Sequence, residues 1–262
     1  MSQAYALAPL HEIEVSTADV LSIKRNDLVP LLNDQYKLNH FADQLVQAQA
    51  VLLQGIDPKL TQRLSQNIEE LIRQLSVSKK YIRNRKFNAL QRWMGIDVEF
   101  GAKQIAYYRN LDRLLEQTHS LSQQLQVEIQ KSQSRFNQLS GLREQMALHI
   151  RAADEFLNEY PSFTQQHPLD HFAERLAKKT HSLRTVQASN DIAIAQMQLS
   201  QQLTFSLLDR FKEAQQVLIP AWKYHVQQSQ QSASAASLAK LDSSRESLIQ
   251  TLKKSLENSS KA

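Results

Sequence analysis

The sequence has no cysteine, and its 262 residues include only four glycines and six prolines; 7% of it is aromatic. Without a thiol there are no disulfides, thiolate nucleophiles, cysteine-ligated zinc or iron–sulfur clusters. That composition fits a reducing cytoplasm. So few glycines argue against sheets and nucleotide-binding folds, because hairpins, βα turns and phosphate loops consume them. No stretch approaches the roughly 18–20 apolar residues of a membrane-spanning helix. Met1 to Val15 show no basic segment followed by an apolar run, so no secretory signal is expected. Neither sign of charge dominates. The 31 basic and 26 acidic side chains leave +5, with a pI near 9.3, too little to imply nucleic acid without a concentrated patch.

What is present is helical period. Leu38, Phe41, Leu45, Ala48 and Leu52 recur at spacings of three and four, which predicts one helix from near Asn33 to Gly55. Asp57-Pro58 then reads as a capping residue with proline in the first turn. Leu60, Leu64, Ile68, Leu71 and Leu75 carry the next helix. From Asp97 a seven-residue seam runs through Leu111, Leu115, Thr118, Ser122, Leu125, Ile129, Ser132, Phe136, Leu139, Arg143, Met146, Ile150, Ala153, Leu157 and Tyr160, with eleven of the fifteen apolar. Unbroken to Tyr160, that helix would measure roughly 95 Å. A bend is expected at Gly141 and a stop at Pro161.

A second seam follows His167-Pro168. It takes in Phe172, Leu176, Leu183, Val186, Ala193, Met197, Leu207, Phe211, Ala214 and Leu218, with Asn190 and Thr204 as interruptions. Equal period and a short loop predict two long antiparallel helices. A kink is expected at Pro220, with Trp222 buried beyond it. The fold expectation is all-α: an elongated helical bundle with long antiparallel coiled-coil helices. Residues 1–30 read as a flexible arm, 31–228 as the bundle, and 229–262 as a low-complexity tail with a weak helix.

The residues offer little for catalysis. His167 and His171 are four apart, with Asp170 and Glu174 near, but a helix N-terminus explains them without a metal. Glu69-Glu70 and Asp154-Glu155 are adjacent and diverge on a helix, so they are not acid–base pairs. There is no Gly-x-Ser-x-Gly elbow and no glycine-rich phosphate loop. The expectation is a protein that is not an enzyme and carries no cofactor, catalytic residue or metal. Glutamine pairs such as Gln123-Gln124 and Gln201-Gln202 read as exposed, uncharged helix surface.

The strongest local feature is basic. Lys79, Lys80, Arg83, Arg85, Lys86 and Arg92 fall in a stretch without acids, interleaved with Tyr81, Ile82, Phe87, Leu90, Trp93 and Met94. On a helix, Phe87, Leu90, Trp93 and Met94 form an apolar stripe flanked by bases, as in segments that lie on anionic membrane surfaces. The same stripe can instead dock on the bundle and leave the bases in water, the commoner fate of amphipathic helices. The contact set read for an anionic surface is Lys79, Lys80, Arg83, Arg85, Lys86, Arg92 and Trp93. Nucleic acid is not expected, because these aromatics suit packing better than stacking.

Phe172-Ala-Glu-Arg-Leu176, Leu183-Arg-Thr-Val-Gln-Ala-Ser-Asn190 and Leu218-Ile-Pro-Ala-Trp-Lys223 together resemble the C-terminal helices of the toxic anion resistance (TelA-like) family. Ile105-Ala-Tyr-Tyr-Arg-Asn-Leu-Asp112 and the basic aromatic segment before Gly95 are similar to its central part. The likeness runs loosely from Leu31 to Gln228, and Ile219-Pro-Ala-Trp-Lys223 is its most specific piece. Where the family more often pairs asparagines, this chain has Ser189-Asn190-Asp191, as in a divergent member. The resemblance implies a helical cytoplasmic protein serving tolerance of tellurite and cell-envelope stress, to which the basic segment adds a peripheral position at the inner face of the membrane as a further expectation. Its implied partners are other stress-resistance proteins; peripheral contact with an anionic membrane is expected from the basic segment instead, and self-association from the coiled-coil seams. Direct detoxification would mean reducing tellurite, for which this chain has neither thiol nor cofactor loop. Any resistance is therefore expected to be indirect. The alternative is a coiled-coil structural or assembly protein with no link to toxic anions.

Overall fold

The computed structural model describes residues 7–82, 91–92, 94, 96–163, 171–231 and 234–257, and among them no strand occurs. The protein is all-α, as expected. Nine helices are labelled here: α1 Thr17–Ile23, α2 Gln35–Asn39, α3 Asp43–Leu52, α4 Pro58–Val77, α5 Lys79–Ile82, α6 Ile96–Phe163, α7 Phe172–Glu213, α8 Ile219–Gln231 and α9 Ala235–Glu257. The chain divides into two compact units, Met1–Ile56 with Lys131–Ser200, and Asp57–Gln130 with Gln201–Ala262.

The first unit is built around the C-terminal half of α6 and the N-terminal half of α7. These run antiparallel. Tyr160 stacks on Phe172 at 5.3 Å, Arg184 pairs with Asp154, and Arg143 pairs with Asp191, so numbers fall on one helix as they rise on the other. Met146, Ile150, Ala153, Phe156, Tyr160, Phe172, Leu176 and Leu183 form a core into which Leu38 and Phe41 also pack. Here the structure departs from a flexible arm over 1–30. Residues 17–31 are helical and bury Val20, Ile23, Leu28 and Leu31 in that core. Short apolar pieces without a sustained period over Met1 to Arg25 hid this from the sequence, and Pro30 falls within the helical stretch. A π-turn at Lys24–Leu28 precedes this proline, with the Val29 N–H bonded to the Lys24 carbonyl, and so accommodates the ring that an unbroken α-helix would exclude.

The single helix expected over 33–55 is also divided. Ala42 takes a left-handed conformation, φ 60°, between α2 and α3, where Phe41 turns into the core.

A polar chain crosses this unit. Asn190 Nδ2 donates to Gln49 Oε1 at 2.6 Å, Gln49 Nε2 to Gln187 Oε1 at 2.8 Å, and Gln187 Nε2 to Asp191 Oδ1 at 2.7 Å. Arg143 donates twice to the Asp191 carboxylate, at 2.8 and 2.9 Å, and once to the carbonyl oxygen of Ala8. Gln49, Gln187 and Arg143 are buried. Each of the three amide nitrogens and the Nε and Nη2 of Arg143 has an acceptor, which is the condition for placing such groups inside.

The second unit packs α4, the N-terminal half of α6, α8 and α9. Asp57 caps α4 by accepting from the Lys59 N–H at 2.9 Å, and Pro58 takes the first turn, as the sequence predicts. Leu64, Ile68, Leu71 and Leu75 face inward. Trp222, 2% exposed, is enclosed by Leu71, Leu75, Leu111, Leu115, Ile219, Leu248 and Leu252. The irregularity expected at Pro220 is a π-turn at Ala214–Leu218, where the Ile219 N–H bonds to the Ala214 carbonyl. The weak tail helix expected in 229–262 is a packed element, since α9 buries Leu241, Leu248, Ile249 and Leu252. Its spacing was visible in the sequence, but the Ser- and Gln-rich lead-in lowered its apparent hydrophobicity.

Helix α6 runs through Gly141 without interruption and ends two residues past Pro161. None of the fifteen seam positions assigned to it is exposed. The polar ones are accommodated locally: the Thr118 hydroxyl donates to the Leu114 carbonyl at 2.6 Å and the Ser122 hydroxyl to the His119 carbonyl at 2.9 Å.

Candidate functional site: a cationic groove on the second unit

On α6, Lys103, Ala106, Asn110 and Arg113 recur at spacings of three and four and therefore share one face, with Arg109 at its edge. The adjoining face carries Tyr107 and Leu111, both buried. Tyr107 stitches the site together. Its hydroxyl donates to the Gln74 carbonyl at 2.9 Å, and its ring stacks on Tyr81 at 4.7 Å. Gln104 Nε2 donates to the Tyr81 carbonyl at 2.6 Å. These contacts hold the end of α4 and the short α5 against α6.

The result is an open groove of about 790 Å³ lined by Arg73, Gln74, Val77 and Tyr81 on one side and by Lys103, Ala106, Tyr107, Arg109, Asn110 and Arg113 on the other. No carboxylate, imidazole or thiol is among these residues. Arg73 donates from Nε and Nη2 to Glu70, 2.8 Å each, and these hydrogen bonds, with one from Gln74, hold the Glu70 carboxyl below its ordinary value. Lys103 donates to Glu99 at 2.6 Å, which lowers Glu99 and raises Lys103. Arg113 donates to the Asn110 side-chain oxygen at 2.5 Å. Arg109 is exposed and has no ion pair among the described residues. Four cations face two rim carboxylates, a surplus of two positive charges.

The carbonyl end of α4 would oppose an anion, but its Gln74 carbonyl is already taken by Tyr107. Burial pushes the Tyr107 hydroxyl well above its ordinary value, so it stays a neutral donor. Chemically, the groove offers positive charge and guanidinium donors over a floor of two stacked phenol rings. That set suits holding an anion.

None of the described members of the sequence-predicted basic set lines this groove; only Tyr81, interleaved with them, does. Lys79 lies on α5, 3.3 Å from Asp242 of α9, and Lys80 beside it is exposed. Arg92 is exposed, as is Met94. Arg83, Arg85, Lys86 and Trp93 lie outside the described residues. His171 is exposed, 3.6 Å from Glu174, while His167 lies outside the described residues. Among the described residues no three His, Cys, Asp or Glu side chains gather in a metal-binding cluster. Sequence reasoning missed Arg73, Lys103, Arg109 and Arg113 because they do not form a run. The available signal was the three-and-four spacing of Lys103, Ala106, Asn110 and Arg113 on α6, one face away from the Tyr107–Leu111 seam.

Among known proteins, the chain is 26% identical over 173 residues to Protein KlaA of Escherichia coli, covering 64% of this chain and 67% of KlaA. That is a distant relationship at the level of family. No family model and no solved structure matches the chain.

Proposed function

We propose that this protein is a non-enzymatic tolerance factor of the tellurite-resistance type, acting in the cytoplasm by holding a partner or a membrane surface rather than by converting the toxic anion. The cationic groove carries the reading: it collects Arg73, Lys103, Arg109 and Arg113 over a tyrosine floor, with no group among its lining residues suited to redox or hydrolytic chemistry. The TelA-like resemblance supports it, since Tyr107, Arg109 and Asn110 fall inside the segment Ile105–Asp112 that carries part of that resemblance. The distant relationship to KlaA points toward the same tellurite-resistance-like family. Partners in this reading are other stress-resistance proteins, and at the membrane the contact is peripheral. No helix among the described residues is long and apolar enough to cross a membrane.

The test is a deletion strain challenged with tellurite and with envelope-active agents. Loss of tolerance, restored by the wild-type chain and not by Arg73→Gln with Arg109→Gln and Arg113→Gln, is the expected result. Unchanged tolerance in the deletion strain would replace this reading with the second one, a coiled-coil structural or assembly protein, which the antiparallel pairing of α6 with α7 favours.

A further inference from the structure

The groove has an apolar neighbour. On α6, Val98, Ala102 and Ile105 recur at spacings of four and three and lead to Arg109 four residues on, so they form one stripe. Val98 is 73% exposed and Ile105 61%, and Ala102 is exposed too. Two aliphatic side chains held in water two turns apart lose the stabilisation that burial would bring, and the core already has its own face at Tyr107 and Leu111. Arg109 continues this stripe and Arg113 flanks it, with Lys103 in the groove and Arg73 across it; the acids on this face are already paired, Asp112 with Lys223 and Glu99 with Lys103. An exposed apolar stripe bordered by cations is the pattern of helices that lie in the interface of an anionic bilayer, aliphatics toward the acyl boundary and bases at headgroup phosphates.

We propose that this face of α6, together with the adjoining groove, docks on the surface of an anionic phospholipid bilayer. The inference rests on the surface-binding reading above and locates its contact at Arg73 and residues 98–113. Charge complementarity argues for phosphate-bearing headgroups. The exposed Val98 and Ile105 argue for a bilayer over a dissolved oxyanion, which would use the cations and leave the stripe idle. The phenol rings of Tyr81 and Tyr107 are stacked on each other, so they are not a platform for bases of a nucleic acid.

Flotation of the full chain with vesicles tests this. The protein is expected to float with phosphatidylcholine–phosphatidylglycerol vesicles, not with phosphatidylcholine alone, and to be released as salt is raised. Arg109→Gln with Arg113→Gln should weaken partitioning about 30-fold, from about 1 kcal/mol per cation near such a surface. Val98→Ser with Ile105→Ser should weaken it roughly 10-fold and leave a residue of binding that salt removes more easily. All four side chains project from the surface, so thermal melts should match wild type and separate lost docking from lost folding. Docking is overturned by absence of flotation, by equal binding to neutral vesicles, or by variants that bind like wild type. Binding of tripolyphosphate by calorimetry without any flotation would overturn it in favour of a dissolved anion. Flotation is read on purified protein, so its failure leaves the tolerance reading to stand or fall by the deletion strain.

Discussion

In the first unit charge is taken inside: Arg143 and Asp191 meet between the long helices, and Gln187, Gln49 and Asn190 complete the chain. In the second unit the interior around Trp222 is aliphatic and the groove guanidiniums stand outside, although Arg245 of α9 is buried beside Asp242. The difference shows two ways of fixing the register of long helices. A seven-residue seam repeats, so antiparallel partners could slide by a heptad and still bury apolar groups. Moving Arg143 by one heptad would strip the buried guanidinium of its partly buried partner Asp191, which costs more than a shifted leucine. In the second unit the bulk of Trp222 does this work, because a cavity shaped by seven apolar side chains accepts the indole in one place only. Charge left over from packing is then free to face a ligand.

The largest effect expected is at the aliphatic site. Trp222→Ala should destabilise the protein by about 3–5 kcal/mol in denaturant unfolding, by lost burial and a residual cavity. A loss below about 1 kcal/mol would remove Trp222 from its register-setting role. Next is Arg143→Ala, expected to cost about 3 kcal/mol because the Asp191 carboxylate loses both Arg143 bonds and keeps only the one from Gln187. Adding Asp191→Ala should recover part of that loss. If the double variant were as unstable as the two losses summed, Arg143 and Asp191 would be acting separately, and the contrast between the units would fail.

The smallest is Tyr107→Phe, expected to cost about 1 kcal/mol at neutral pH through loss of the bond to the Gln74 carbonyl. Its sharper readout is alkaline. Burial raises the folded-state pKa of Tyr107, while the unfolded phenol ionises near its ordinary value of about 10. Above about pH 10 the unfolded chain therefore releases a proton that the folded chain keeps, and stability falls with rising pH. Tyr107→Phe should remove that part of the fall. An unchanged alkaline slope in the variant would mean that the hydroxyl is not buried as described.

The sequence alone determined that the protein is helical, where the long seams lie, and that Pro58 and Gly55 bracket a connection. Helical period is a local property, and burial follows it residue by residue from Leu111 to Tyr160. It also determined that Trp222 is interior, since an indole following Pro220 on an apolar face has few other places to go. Only the tertiary structure decided that Gln49, one of many glutamines, is buried, because its partners Gln187 and Asn190 lie some 140 positions away. The packing of residues 17–31 and of α9 was decided the same way, by core surfaces supplied from distant segments. So was the groove. The basic run at 79–94 is contiguous and easily read, whereas Arg73 and Arg113 become neighbours only when Tyr107 reaches the Gln74 carbonyl and closes α4 on α6. Periodicity records which side of a helix turns inward, and the identity of what meets it there is a long-range property that no local pattern contains.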